Sequence, residues 1–162
     1  MPGNFLKKIY PMKKFTDDIR AFVSQKQLAL VGYSSNPKKF GHDVYKTLVD
    51  KGCTVYPVNP AGGITPNGDT IYTDVSAVPA EVDAFLLVTK PEVTRKVLDE
   101  LLPRKPGHLW VQQMSGSKEI REMLEGQSGN IIYSRCILMH AHPTGIHRFH
   151  RWLAGVFGRL GD

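Results

Sequence analysis

Two cysteines in 162 residues, Cys53 and Cys136, are too few for a disulfide framework, and neither stands in a CxxC pair or at zinc-finger spacing. Reduced thiols are expected. No run approaches the ~18 uncharged apolar residues of a membrane-crossing helix. The opening MPGNFLKKIYPMKKF carries charge but lacks the apolar core and cleavage site of a secretory signal, so a cytoplasmic location is expected. The middle of the chain also lacks net charge. Of the overall +6, residues 1–20 and 135–162 each carry +3, while residues 21–134 balance at twelve against twelve. A body without a positive stripe argues against duplex nucleic acid, because neutralised phosphates supply that affinity. A small anionic ligand needs only a few well-placed donors. Catalytic signatures are missing as well: there is no GxSxG elbow, and Asp43, Asp50, Asp69, Asp74 and Asp83 are scattered. No enzymatic activity of its own is expected.

What is present is a folding pattern. Hydrophobic residues at 41% and charged residues at 22% suit one globular domain with a real core. Short apolar runs predict buried strands at Leu28–Val31, Thr54–Val58, Ala84–Val88, His108–Val111 and Asn130–Tyr133. Pro57 has no N–H for a ladder, so pairing of the second strand is expected to end near it. Residues 61–69 read as a loop, followed by a short edge strand at Thr70–Tyr72.

Between the strands, apolar residues recur at helical spacing. One helix buries Val44, Tyr45, Leu48 and Val49 and stops at Gly52; another starts at Pro91 and buries Val93, Val97, Leu98 and Leu101. A third is capped by Ser117, buries Ile120, Met123 and Leu124, and stops at Gly126. An earlier one starts at Thr16 and buries Ile19, Phe22 and Val23. Strands alternating with helices require a parallel sheet covered on both faces. The predicted fold class is α/β: a Rossmann-like, doubly wound, mainly parallel sheet in three αβα layers. Its domain spans 15–140, with basic extensions at 1–14 and 141–162.

Ligands of such sheets bind beyond the carboxyl ends of the strands, which singles out three loops: 32–41, 58–63 and 88–91. The first reads V-G-Y-S-S-N-P-K-K-F-G-H from Val31 to His42. It matches neither GxGxxG nor GxxxxGK[ST]. It nevertheless combines Gly32 for a sharp turn, hydroxyls at Ser34 and Ser35, amides near a helix N-terminus, and the cations Lys38 and Lys39. Those ingredients suit a pyrophosphate; composition alone equally allows a plain chain-reversing turn.

The stretch VGYSSNPKKFGHDVYKTLVDKGCTVYPVNP resembles the start of the CoA-binding domain family, small proteins related to the CoA-binding domain of the succinyl-CoA synthetase alpha subunit. Gly32, Ser34, Asn36, Pro37 and Lys39 fit its G-x-S-x-N-P-x-K, and Pro57–Pro60 fit its P-V-N-P. Gly68 and Tyr72, then Val75, Pro79, Val82 and Asp83, fit further elements, as do Trp110, Gln112, Arg135 and Cys136. The resemblance covers roughly residues 25 to 140. It departs at Met114, where the family usually has glycine, and after Cys136, where ILMHAHP replaces a common Glu-His pair.

The resemblance implies a protein that binds CoA or acyl-CoA through its ADP moiety, with no catalytic domain attached and a homodimer possible. Gly32, Tyr33, Ser34, Ser35 and Asn36 would hold phosphates, with Lys39 supplying charge. Val58, Asn59 and Pro60 would border the adenosine, and Val88, Thr89, Lys90 and Pro91 would close the opposite wall. Two rivals stand beside it. One is an NAD(P)-linked oxidoreductase, disfavoured because Asn59-Pro60 replaces the acidic ribose-binding residue after the second strand. The other is a partner-binding module without ligand.

Other features carry blander readings. His140, His142, His147 and His150 crowd the C-terminal region without a nearby carboxylate or CxxC, so no metal site is expected. Cys136 follows a buried strand and is expected to be an inert core residue. The segment HRFHRWLAGVFGRL has helical spacing and basic residues; docking on the body or another subunit is expected rather than membrane binding.

Overall fold

A computed structural model describes the backbone of residues 12–141 and side chains over 16–140. The sequence-predicted extensions, apart from Met12–Lys14 and Ala141, lie outside the described residues, as do His142, His147, His150 and the segment 147–160. The order of elements is α1 (Met12–Val23), β1 (Gln27–Val31), α2 (Phe40–Asp50), β2 (Thr54–Val58), β3 (Gly63–Ile64), β4 (Thr70–Ile71), β5 (Ala84–Leu87), α3 (Pro91–Leu101), β6 (His108–Gln112), α4 (Lys118–Leu124), β7 (Asn130–Arg135) and α5 (Ile137–Ala141). Five strands form a parallel sheet in the order β2-β1-β5-β6-β7. The short β3 and β4 form a separate antiparallel hairpin.

Alternation along each strand divides the core between two faces. On one, Leu28, Leu30, Leu86, Trp110 and Ile132 pack beneath Phe22 of α1, Val44 and Leu48 of α2, and Ile137 of α5. On the other, Ala29, Val31, Phe85, Leu87, Leu109 and Val111 pack beneath Leu98 and Leu101 of α3 and Ile120 and Leu124 of α4. These are the three layers that the strand–helix alternation predicts.

Local details correct several expectations. The first helix begins at Met12, not Thr16. Val23 and Val93, expected to be buried, are 41% and 43% exposed. The true buried register of α3 runs through Thr94, Leu98 and Leu101, and the polar Thr94 is accommodated because its hydroxyl donates to the Thr89 carbonyl at 3.2 Å. Pairing of β2 does not stop at Pro57 but continues to Val58. The Pro57 carbonyl accepts from Tyr72 N at 2.8 Å, so the polar side of this residue faces the outer edge, and the absent N–H costs the β1 ladder nothing. Inside the expected loop 61–69, Gly63–Ile64 forms a strand.

Arg104, unremarked in the sequence, staples the connection between β4 and β5. Its guanidinium donates to the carbonyls of Val75, Val78 and Pro79 at 2.6, 3.3 and 3.2 Å and lies 5.2 Å from the centre of the Phe85 ring. Bonds from a charged donor are individually strong, and three carbonyls would lose their partner together. Arg104→Ala is expected to cost about 2–4 kcal/mol of stability in urea unfolding. A loss within measurement error would show that these bonds are replaced by water.

Candidate nucleotide-binding cleft

The strand order reverses between β1 and β5, because the chain leaves β1 for β2 on one side and returns to β5 on the other. A crevice opens where such connections diverge. The carboxyl ends of β2, β1 and β5 therefore stand side by side, bringing together the three loops singled out by sequence. Gly32 is the hinge of this arrangement. Its φ is +102°, and a Cβ there would lie 2.9 Å from Val88 Cγ2 and 3.0 Å from Thr89 Cγ2. Gly41 packs even more tightly, since its Cβ would come 2.0 Å from the Gly32 carbonyl oxygen. These two glycines let the start of α2 rest directly on the loop.

Within the loop most main-chain donors are already used. The amides of Gly32 and Tyr33 both donate to Val58 O, at 3.1 and 3.2 Å. Asn36 N donates to Ser34 Oγ at 3.1 Å, Lys38 N to Asn36 Oδ1 at 2.9 Å, and Lys39 N to Asn36 O at 3.0 Å. The amides of Ser34 and Ser35 have no acceptor among the described residues. Gly32, Tyr33 and Asn36 thus shape the loop, while between Gly32 and Lys39 the amides open to an anion are those of Ser34 and Ser35. Lys39 precedes α2 and Lys90 precedes α3, both exposed, so two helix N-termini with a cation flank the crevice.

The opposite loops act as braces. Asn59 Nδ2 donates to Tyr33 O at 2.8 Å, and its Oδ1 accepts from Ala61 N at 2.9 Å, so both ends of this side chain are committed to the fold. Pro60 beyond it is exposed, and Val58 is buried beneath. On the far side Val88 N donates to Val31 O at 2.9 Å, and the Thr89 and Thr94 hydroxyls meet at 2.7 Å, fixing the turn into Pro91. His42 escaped sequence reasoning. Its half-buried ring sits in the first turn of α2 with Nδ1 3.3 Å from Ser34 O, beside the open amides. Its place immediately after the last loop glycine was the available signal.

The remaining motif residues are structural. Trp110 is fully buried and its Nε1 donates to Arg135 O at 2.9 Å; Gln112 Oε1 accepts from Ile137 N at 3.1 Å. Together they anchor the turn after β7, and within that strand Ser134 forms a bulge with φ +60°. Cys136 is buried in that turn, 3% exposed, as expected of a core thiol. Burial also pushes the Cys53 thiol up from its ordinary pKa. Alkylation of either cysteine in the native protein at neutral pH is expected to be slower than that of a free thiol; faster labelling of Cys136 would overturn the core assignment. Among the described residues no three His, Cys, Asp or Glu side chains gather as a metal centre. His140 lies with its ring 5.7 Å from Trp110, and burial, followed by the charge of Arg135, lowers its pKa.

A family model described as a CoA binding domain matches residues 26–142. The chain belongs to the CoA-binding domain family. Among curated relatives, the alpha subunit of acetate–CoA ligase (ADP-forming) II from Pyrococcus furiosus is 34% identical over 135 residues, 76% of this chain and 29% of the subunit. The alpha subunit of ligase I from the same organism is 34% identical over 87 residues, 51% of this chain and 19% of the subunit. The chain thus spans less than a third of either ligase subunit. The uncharacterized protein YneT of Bacillus subtilis is 27% identical over 112 residues, 69% of this chain and 82% of YneT.

Solved structures share the fold. A conserved hypothetical protein from Pyrococcus furiosus superposes with a TM-score of 0.65 at 36% identity, covering 71% of this chain and 97% of that one. A hypothetical protein from Pyrococcus horikoshii OT3 gives 0.69 at 27% identity, covering 76% and 87%. No helix among the described residues is long and apolar enough to cross a membrane.

Proposed function

We propose that the protein binds CoA or an acyl-CoA through its ADP moiety and acts as a binding module with no reaction of its own. The observation that carries this reading is the pair of open amides at Ser34 and Ser35, set between two helix N-termini at the strand-order reversal of a CoA-binding domain. Main-chain donors at a helix start suit a pyrophosphate without a large positive field, consistent with the balanced charge of residues 21–134. Lys39 and Lys90 add charge at the rim. The adenosine would lie against Val58, Asn59 and Pro60.

An NAD(P) site is the poorer fit. The residue after β2 is Asn59, whose side chain is engaged at both ends, and no carboxylate takes the position that would hold a ribose diol. Calorimetric titration with CoA, NAD, NADP and ADP tests the reading. CoA is expected to bind most tightly and ADP detectably. Binding of NAD or NADP in preference to CoA, or of none of the four, would contradict it.

A further inference from the structure

Nucleotide binding over β1 would use the main chain at Ser34 and Ser35, but it has no evident use for the Tyr33 ring, which turns away into the core. Tyr33 is 2% exposed and meets Tyr45 of α2 edge-on, with ring centres 5.0 Å apart. Packing of that kind needs only phenylalanine. The Tyr33 hydroxyl is nevertheless present, buried, and without a hydrogen-bond partner among the described residues. A buried orphan hydroxyl is rare, because it forfeits its bonds to water and gains nothing in return.

The neighbouring side chains show where that donor belongs. Tyr45 OH donates to Asp69 Oδ2 at 2.7 Å, and Thr65 Oγ1 approaches the same oxygen at 3.5 Å. Asn67 Nδ2 donates to Tyr45 OH at 3.4 Å. This cluster joins α2 to the β3–β4 hairpin, and both of its donors to Asp69 converge on one carboxylate oxygen. The Tyr33 phenol pKa is raised, first by burial and then by the charge of Asp69, so the hydroxyl keeps its proton. Asp69 itself is exposed, at the turn of a hairpin of two residue pairs tied to the main sheet by the Val58–Tyr72 bridge. The hairpin's inner end is seated by the buried Ile71 and by the Tyr72 bonds to Pro57 and Asn59, so any adjustment falls on the exposed Asp69 turn.

We infer that Tyr33 is a positioning residue for the nucleotide: in the ligand-bound protein its hydroxyl donates to the Asp69 carboxylate and locks the glycine loop to the β3–β4 hairpin. The ligand draws the loop and the hairpin together, since it touches the loop at Ser34 and Ser35 and the chain entering the hairpin at Asn59 and Pro60. Tyr33 does not touch the ligand. It converts closure of the two walls into one additional charge-assisted hydrogen bond. The inference rests on the CoA reading of the cleft.

Thermal unfolding without CoA and calorimetric titration with CoA, on the wild-type chain, Tyr33→Phe, Asp69→Ala and the double variant, test it. Tyr33→Phe is expected to unfold at the wild-type temperature or above, yet to bind CoA about tenfold more weakly, the worth of a hydrogen bond to a charged acceptor. Asp69→Ala should weaken binding by at least as much, and the double variant no more than the weaker single. Tyr33→Phe with wild-type affinity, or two losses that multiply in the double variant, would overturn the inference alone. A wild-type chain that ignores CoA would overturn it together with the function. Should Tyr33→Phe fail to fold, Asp69→Ala with undiminished affinity would overturn it instead.

Discussion

Alanine at Gly41 is expected to abolish CoA binding and to remove about 3 kcal/mol or more of stability, a large share of what a domain this size has. The added Cβ would stand 2.0 Å from the Gly32 carbonyl oxygen, and that oxygen cannot retreat. Gly32 N is bonded to Val58 O at 3.1 Å, and the space above the Gly32 α-carbon is filled by Val88 and Thr89. The strain must therefore move α2 away from the loop, which separates the Ser34 and Ser35 amides from the helix start. Gly52→Ala is the control. Gly52 has φ +81° but nothing within 4 Å of its would-be Cβ, so the cost is local strain of about 1 kcal/mol and CoA affinity should stay unchanged. Denaturant unfolding and a CoA titration on both variants check the contrast. Equal behaviour of the two would show that the close approach of Gly41 and Gly32 does not govern the cleft.

Trp110→Ala should be comparably damaging to the fold, by about 3–5 kcal/mol, for a different reason. The indole is fully buried under α1, edge-on to Phe22 with ring centres 5.2 Å apart, and its Nε1 holds the Arg135 carbonyl. Truncation leaves a large cavity and an acceptor in need of a donor. Trp110→Phe restores the packing but not the bond and should recover part of the loss. Because the Trp110 side chain packs against Phe22 of α1 and bonds the end of β7, and not the three loops, whatever fraction remains folded should bind CoA with wild-type affinity. Weaker binding by the folded fraction would mean that the β7 turn communicates with the cleft.

The layers of the fold were legible because each strand is a short apolar run and each helix buries a stripe: Ala84–Leu87 and the Leu98–Leu101 face needed no tertiary information. Local choices made by tertiary contacts were not. Pro57 reads as a ladder breaker until β2 is known to be an edge strand whose outer side meets Tyr72. Thr94 takes a buried place that Val93 would fill by hydrophobicity, because the Thr89 carbonyl supplies a partner. The Ser134 bulge depends on the register of β6 against β7, and the Arg104 staple on carbonyls 25 to 29 residues away.

The cleft was legible at the level of loops and less so at the level of atoms. Gly32 and the Ser34–Asn36 stretch stood out as an anion-binding pattern, yet which amides remain open followed only from the hydrogen bonds to Val58, Ser34 and Asn36. Asn59, read as a border of the adenosine, also braces the fold through Tyr33 O and Ala61 N. His42 has no sequence signature beyond its place after Gly41.

A groove of about 420 Å³ elsewhere on the molecule, lined by Phe22, Leu28, Leu48, Cys53 and Ile137 among others, supplies the competing location for a ligand. Amide resonances followed through a CoA titration decide between the two places. The account predicts the largest shifts at Tyr33–Lys39, Asn59 and Thr89–Lys90, with Phe22, Leu48 and Cys53 unmoved. Shifts centred on that groove, or none at saturating CoA, would contradict it.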